Sequence, residues 1–167
     1  MSFDELIRTR RSIRSYENKP VPDMLLEQVL EAGRLAPSAS NAQNWHFTAV
    51  TNDDMRQRLM AACSNQKQVG QAPVTLVVWA TLDRMMSCGQ STASVDCSIA
   101  TTFMILKAAE LGLGTCWLGA FNATMVKQVL GLKESDVVVA VTPLGYPAEQ
   151  PEARLRKPLE EISDIRK

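Results

Sequence analysis

The sequence predicts an α+β domain, a small mixed β-sheet flanked by helices with one long helix running through the interior. Three observations lead there. Two helix-forming segments precede any strand, and the strands that follow alternate with helical segments. Residues 92–111 then form a long stretch that is apolar around much of a helix circumference, a pattern that calls for burial on most sides. With 167 residues, 46% hydrophobic and 22% charged, the chain has the make-up of one globular domain, with an extended tail from about residue 147 and no repeat, low-complexity tract or linker dividing it. A domain of this size buries a core, but holding a large cofactor as well requires a shallow pocket or a second subunit, so dimerisation is expected.

Each element follows from local chemistry. Ser2 and Glu5 fit a capping box, and Leu6-Ile7 give the first helix an apolar side up to about Thr9. Its end delivers Arg10-Arg11-Ser12. Val21-Pro22-Asp23 opens a second helix, in which Leu25, Leu26, Val29, Leu30 and Ala32 recur at helical spacing until Pro37 stops it. Residues 38–44 form a loop, 45–51 alternate like a strand, and 53–63 have helical composition with Asn52 or Asp53 as the cap. A short polar stretch leads to the apolar run Val74–Ala80, which suits a strand buried on both faces. In the long helix, Ile99, Phe103, Leu106 and Ala109 share one face, with Ala100 and Met104 on the neighbouring one. Gly112 and Gly114 end it; residues 115–118 extend as a strand, 124–130 form a helix and 137–144 the last strand. The tail is rich in proline and charge.

The 18 basic residues equal the 18 acidic ones, so no overall field draws the protein to nucleic acid or to an anionic membrane, and neither is expected as a partner. The start Met1-Ser2-Phe3-Asp4-Glu5 lacks the basic and apolar regions of a signal peptide, and no stretch is long enough to span a bilayer, so a cytoplasmic location is expected. Cys63, Cys88, Cys97 and Cys116 contain no C-x-x-C pair and His46 is the single histidine, which leaves no expected metal site. Free thiols are the expectation, Cys116 in the core and Cys88, in a polar segment, the candidate for an exposed reactive one.

Local charge is more informative. Arg8, Arg10, Arg11 and Arg14 place four guanidinium groups within seven residues, with the Ser12 hydroxyl between them. A phosphate monoester carries close to two negative charges, and arginine offers it a planar, permanently charged fork. A solvated basic helix end, favoured by the helix dipole, is the alternative. In Arg154-Leu155-Arg156-Lys157-Pro158, alternation puts Arg154 and Arg156 on one side, as two prongs for one anion or as plain surface. The loop Pro37-Ser38-Ala39-Ser40-Asn41-Ala42-Gln43-Asn44 is small enough for its backbone to approach a planar ligand, and its amides match a pyrimidine edge; an ordinary loop has the same composition. Gly112-Leu113-Gly114 is not a dinucleotide fingerprint, because Trp117 stands at the third glycine and the order is helix then strand. No Walker lysine follows a glycine loop, and His46 in a strand does not suit a catalytic triad.

Taken together, Arg10-Arg11-Ser12-Ile13-Arg14, the run from Pro37 through Asn44-Trp45-His46-Phe47, Ala108-Ala109-Glu110-Leu111-Gly112-Leu113-Gly114-Thr115-Cys116-Trp117-Leu118-Gly119 and Arg154-Leu155-Arg156-Lys157-Pro158-Leu159-Glu160-Glu161 resemble the nitroreductase family, over essentially the whole chain. The resemblance implies a nitroreductase-like, FMN-binding homodimer with its flavin sites at the subunit interface. NADH or NADPH would reduce the flavin, and hydride would pass through flavin N5 to a small-molecule acceptor, such as a nitroaromatic or quinone, in a ping-pong cycle that needs no catalytic side chain. By position, the resemblance gives Arg10, Ser12, Arg154 and Arg156, joined by Arg11, to the phosphate or ribityl oxygens, and Arg14 to the pyrimidine end. Pro37, Ser38 and Ala39 would pack on the flavin from the partner subunit with Asn41 nearby, and Asn65 and Gln68 would bond the ribityl chain and ring. Leu118 and Gly119 would offer backbone N–H groups near N5. Asn44 stands where proline is usual, and the chain lacks the insertion that often covers the flavin, which would leave acceptor access open. Related readings are flavin fragmentation, reductive dehalogenation, or a flavin-binding module for storage, sensing or a partner protein, with little turnover.

Overall fold

In the computed structural model, which describes residues 1–167, the Ser2 hydroxyl accepts from the Glu5 N–H at 3.2 Å while the Glu5 carboxylate accepts from the Ser2 N–H at 2.7 Å, closing the capping box over α1 (Phe3–Thr9). Next come α2 (Asp23–Arg34), β1 (Trp45–Val50) and α3 (Asp53–Ala62), whose first turn is capped by Asn52 accepting from the Met55 N–H at 3.0 Å. The polar stretch after it contains a helix that the sequence reading did not expect, α4 (Lys67–Gln71). Five residues carry no readable periodicity; tertiary contacts hold this turn, with Val69 and Gly70 buried and the Arg56 guanidinium donating to the Gly70 carbonyl at 2.9 Å. The chain continues through β2 (Val74–Ala80), α5 (Thr92–Glu110), β3 (Gly114–Thr115), α6 (Ala123–Leu130) and β4 (Val137–Gly145). No helix is long and apolar enough to cross a membrane.

The strands form one sheet in the order β1-β2-β4-β3, and each adjoining pair is antiparallel. The parallel character expected of a mixed sheet is confined to an isolated bridge between Ser12 and Thr115, where the arginine segment lies beside β3. The strand expected over 115–118 is also shorter, because the chain leaves the sheet after Thr115 and returns for a single bridge between Leu118 and Val141.

The continuous apolar run of β2 is explained by burial on both faces. Val74, Leu76, Val78 and Ala80 join one core with α2 and α5, while Val77 joins a second with Leu59 of α3, Val126 of α6 and Val141 of β4. The stripe of α5 that seats on the sheet is Ala93, Cys97, Ala100, Met104 and Ala108, in which the alanines and the cysteine are small enough to allow close approach around Met104. Gly33 of α2 meets the same helix, and a Cβ added there would lie 2.9 Å from Met104 Cγ. The bulkier face that the periodicity also marked is not core: Phe103 is 41% exposed, and Ile99 and Leu106 are half-buried. Three cysteines are buried and Cys88 is exposed; burial pushes the Cys63 thiol up to about 11 and the Cys97 thiol, also opposed by the Asp96 and Asp83 charges, up to about 12.

Gly114 is where the fold meets the arginine segment. A Cβ there would lie 2.6 Å from Ile13 Cγ1 and 2.8 Å from Ile13 Cβ, so any side chain drives Ile13 off β3. Gly114→Ala is therefore expected to cost about 1–3 kcal/mol of overpacking strain in urea unfolding; an unchanged midpoint would mean that Ile13 does not seat there.

Candidate functional site

The Arg10 N–H still donates to the Leu6 carbonyl at 2.9 Å, after which the chain runs extended past Ile13. The Ile13 N–H donates to the Thr115 carbonyl at 2.9 Å, fixing one side of the segment to β3. Its other side is fastened to the chain that follows β4, with the Glu17 N–H donating to the Tyr146 carbonyl at 2.9 Å and the Ala148 N–H to the Ser15 carbonyl at 3.0 Å. The Glu149 carboxylate accepts the N–H of Ser15 at 3.1 Å and that of Arg14, a residue 135 positions away. The Tyr16 hydroxyl is buried and donates to the Ile13 carbonyl at 2.7 Å; burial pushes its pKa far up, so it stays a proton donor.

This fastening brings the two arginine clusters into one place. A cavity of 840 Å³ is lined by Arg8, Arg10, Arg11, Arg14, Arg154 and Arg156, with Ser12 among them and Glu152 as its one acidic residue. None of the six arginines takes part in the chain's ion pairs, which lie at Arg34, Arg56, Lys107 and Arg166. Arg11 spends Nη1 on the Arg8 and Arg10 carbonyls at 2.7 and 2.9 Å, closing the end of α1, while its Nε is buried without a partner. Converging guanidinium groups repel one another, and a buried charged N–H left unpaired is costly. Both are relieved by an oxygen-rich anion, so the donor set fits a phosphate monoester such as that of FMN.

The other expected site residues do not line this cavity. Pro37, Ser38, Ala39 and Asn41 lie between α2 and β1, around a 3-10 turn at Ala39–Asn41. Asn65 is exposed at φ 57°. The Gln68 amide donates to Gln66 Oε1 at 3.0 Å, and the Gln66 amide in turn donates to the Ala120 carbonyl at 3.1 Å. Gln66, which the sequence reading did not single out, therefore ties this turn to residues 118–120. The Leu118 N–H, expected near N5, donates to the Val141 carbonyl at 2.9 Å in the bridge back to β4, and its side chain is buried. The Gly119 N–H makes none of the chain's hydrogen bonds, and a Cβ there would meet nothing within 4 Å, which leaves that donor open to a ligand. The sequence carried no signal for Glu149, an acid in a charged tail whose partners are backbone N–H groups at the other end of the chain.

A second cavity, of 1150 Å³, is a groove among α2, β1 and α5, lined by Met24, Leu30, Leu35, Trp45, Phe47 and Phe103 together with the charged Glu27, Glu31, Arg34 and Lys107. His46 also lines it and stacks on Trp79 with ring centroids 4.5 Å apart. No group of three or more His, Cys, Asp or Glu side chains is placed to hold a metal.

Comparison with known proteins gives a consistent picture. The model of the nitroreductase family matches residues 7–73 and 61–146. An NADH dehydrogenase of Thermus thermophilus is 31% identical over 185 aligned positions, covering 92% of this chain and 90% of that one. Among solved structures, a nitroreductase family protein from Clostridium difficile superposes with a TM-score of 0.88 at 28% identity, covering 100% of this chain and 99% of the other. The NADPH:FMN oxidoreductase of Vibrio harveyi complexed with NAD+ superposes with a TM-score of 0.89 at 27% identity, covering 98% and 76%.

The Glu149 clamp is open to test. Glu149→Ala is expected to lower the free energy of unfolding by about 0.5–1.5 kcal/mol, and Glu149→Gln, which keeps an acceptor oxygen, to recover most of it; equal losses in urea denaturation would assign the effect to charge instead.

Proposed function

The chain belongs to the nitroreductase family, and from that membership we infer that the protein is an FMN-dependent NAD(P)H oxidoreductase whose cofactor phosphate lies in the arginine cavity. The observation that carries the assignment is the convergence of arginines from opposite ends of the chain on one cavity with no ion-pair partners, beside an orphaned Arg11 Nε. Bound FMN supplies hydride transfer, from NADH or NADPH and then to an acceptor such as a nitroaromatic or quinone, in two half-reactions that share one site.

What this chain contributes is position and field. Arg10, Arg154 and Arg156 hold the phosphate, with Ser12 as a neutral donor and Arg11 turned toward the helix end. Arg14, exposed and without an ion pair, supplies positive charge where the reduced ring system gathers negative charge. The Gly119 N–H is the donor available toward the ring, and the Leu118 bridge to Val141 holds it in place. His46 is stacked on Trp79, so no general acid or base is assigned.

The active form is a homodimer. Support comes from the groove bearing Phe103 and from a tail that leaves Leu155, Leu159, Ile162 and Ile165 exposed, surfaces that a second copy covers. In that assembly the loop at residues 37–41 packs on the flavin of the other subunit. The four unpaired cysteines support a reducing, cytoplasmic compartment.

Arg10→Ala and Arg154→Ala are each expected to weaken FMN binding by about 1.5–3 kcal/mol, read from quenching of flavin fluorescence; unchanged affinity in both would remove the phosphate from this cavity. Anaerobic NADH or NADPH is expected to bleach the visible band of the FMN-loaded protein, with colour restored by a quinone or nitroaromatic. A band that persists with both donors would make the protein a flavin-binding module.

A further inference from the structure

The loop between α2 and β1 has an unusual backbone. Ser40, Asn41 and Gln43 have φ of 54°, 53° and 51°, the left-handed region that disfavours side chains. Such a shape persists where its surroundings over-determine it. Within the loop, the Asn41 N–H donates to the Ser38 carbonyl at 3.0 Å, the Ala42 N–H to the Ala39 carbonyl at 3.1 Å and the Gln43 N–H to Ser38 Oγ at 3.1 Å. Between residues 37 and 43 a single hydrogen bond leaves the segment: the Ala39 N–H donates at 3.0 Å to Oδ1 of Asp96, 57 positions later on α5.

Asp96 is 4% exposed and belongs to no ion pair, and its side chain makes no other hydrogen bond. It sits on α5 beside Cys97 and in the same buried stripe as Ala93 and Ala100, where a carboxylate is costly and an apolar side chain would pack without penalty. Its one visible task is to hold Ala39. We propose that Asp96 is a positioning residue of the reductase site, fixing through the Ala39 N–H the left-handed loop that packs on the flavin of the second subunit. The proposal rests on the functional reading above and extends it to a residue that touches neither cofactor nor substrate. The central helix thereby sets the shape of the loop that one subunit lends to the other.

Two measurements test it. Amide hydrogen exchange on the FMN-free protein reads the loop directly: Asp96→Ala is expected to speed exchange across residues 37–43 about tenfold, with β2 and the interior of α5 unchanged, while Asp96→Asn, which keeps an acceptor oxygen, stays near wild type. FMN titration then reads the site, with the dissociation constant expected to rise about tenfold in Asp96→Ala and to be rescued in Asp96→Asn. If the wild type binds FMN but Asp96→Ala changes neither loop exchange nor affinity, or changes exchange alone, the role of Asp96 is overturned while the flavin reading stands. If the wild type takes up no FMN, the flavin reading itself falls and takes this role with it. Should Asp96→Ala not fold, Ala39→Pro deletes the same hydrogen bond from the other side, Ser38 being extended at φ −139° and ψ 159° as a residue before proline must be. That variant must then show faster exchange over residues 40–43; wild-type exchange would overturn the proposal.

Discussion

The site depends on holding like charges together. Arginines from the first and last parts of the chain face one cavity, where Glu152 is the one acidic residue and none of them is held in an ion pair. In water such groups drift apart; here backbone geometry keeps them close. The Ile13–Thr115, Glu17–Tyr146 and Ala148–Ser15 hydrogen bonds, together with Glu149 on the Arg14 and Ser15 N–H groups, fasten the arginine segment between β3 and the chain leaving β4. The repulsion is thus offset by main-chain pairing, and an anion that enters gains the full attraction without first having to gather the side chains.

The rest of the fold is arranged to permit this. β2 and β4 are buried on both faces and form a rigid base, and β3 needs only two residues to receive the arginine segment. Gly114 lacks a side chain where Ile13 must seat. α5 lies close to the sheet because its inward stripe is mostly alanine and cysteine around Met104, and on its outward side Phe103 lines a groove. One helix therefore serves the core and lines a groove, and through Asp96 it also accepts the Ala39 N–H of the loop between α2 and β1.

Much of the fold was legible because it is written in local chemistry. The capping box at Ser2 and Glu5, the glycines after α5 and the apolar run of β2 each act over a few residues, and the corresponding elements lie where those signals put them. What depends on distant partners was not legible. α4 is a short turn held by Arg56, and periodicity alone did not say which apolar face of α5 is buried, because the choice rests on how closely the sheet can approach. The same division runs through the site. The arginines stand out as a residue type in a pattern, and their shared cavity joins them across the length of the chain. Whether the Leu118 N–H is free depends on Val141, and the work of Glu149 and Asp96 is to accept backbone N–H groups far away in sequence, which no motif encodes.

The central claim is that the arginine cavity recognises a phosphate, and FMN and riboflavin differ by that group alone. Parallel titrations of the FMN-free protein with both flavins at low and high salt isolate its contribution. The account predicts FMN to bind on the order of a hundredfold tighter or more, with a preference that shrinks as salt rises. Equal affinity for the two flavins, independent of salt, would contradict it.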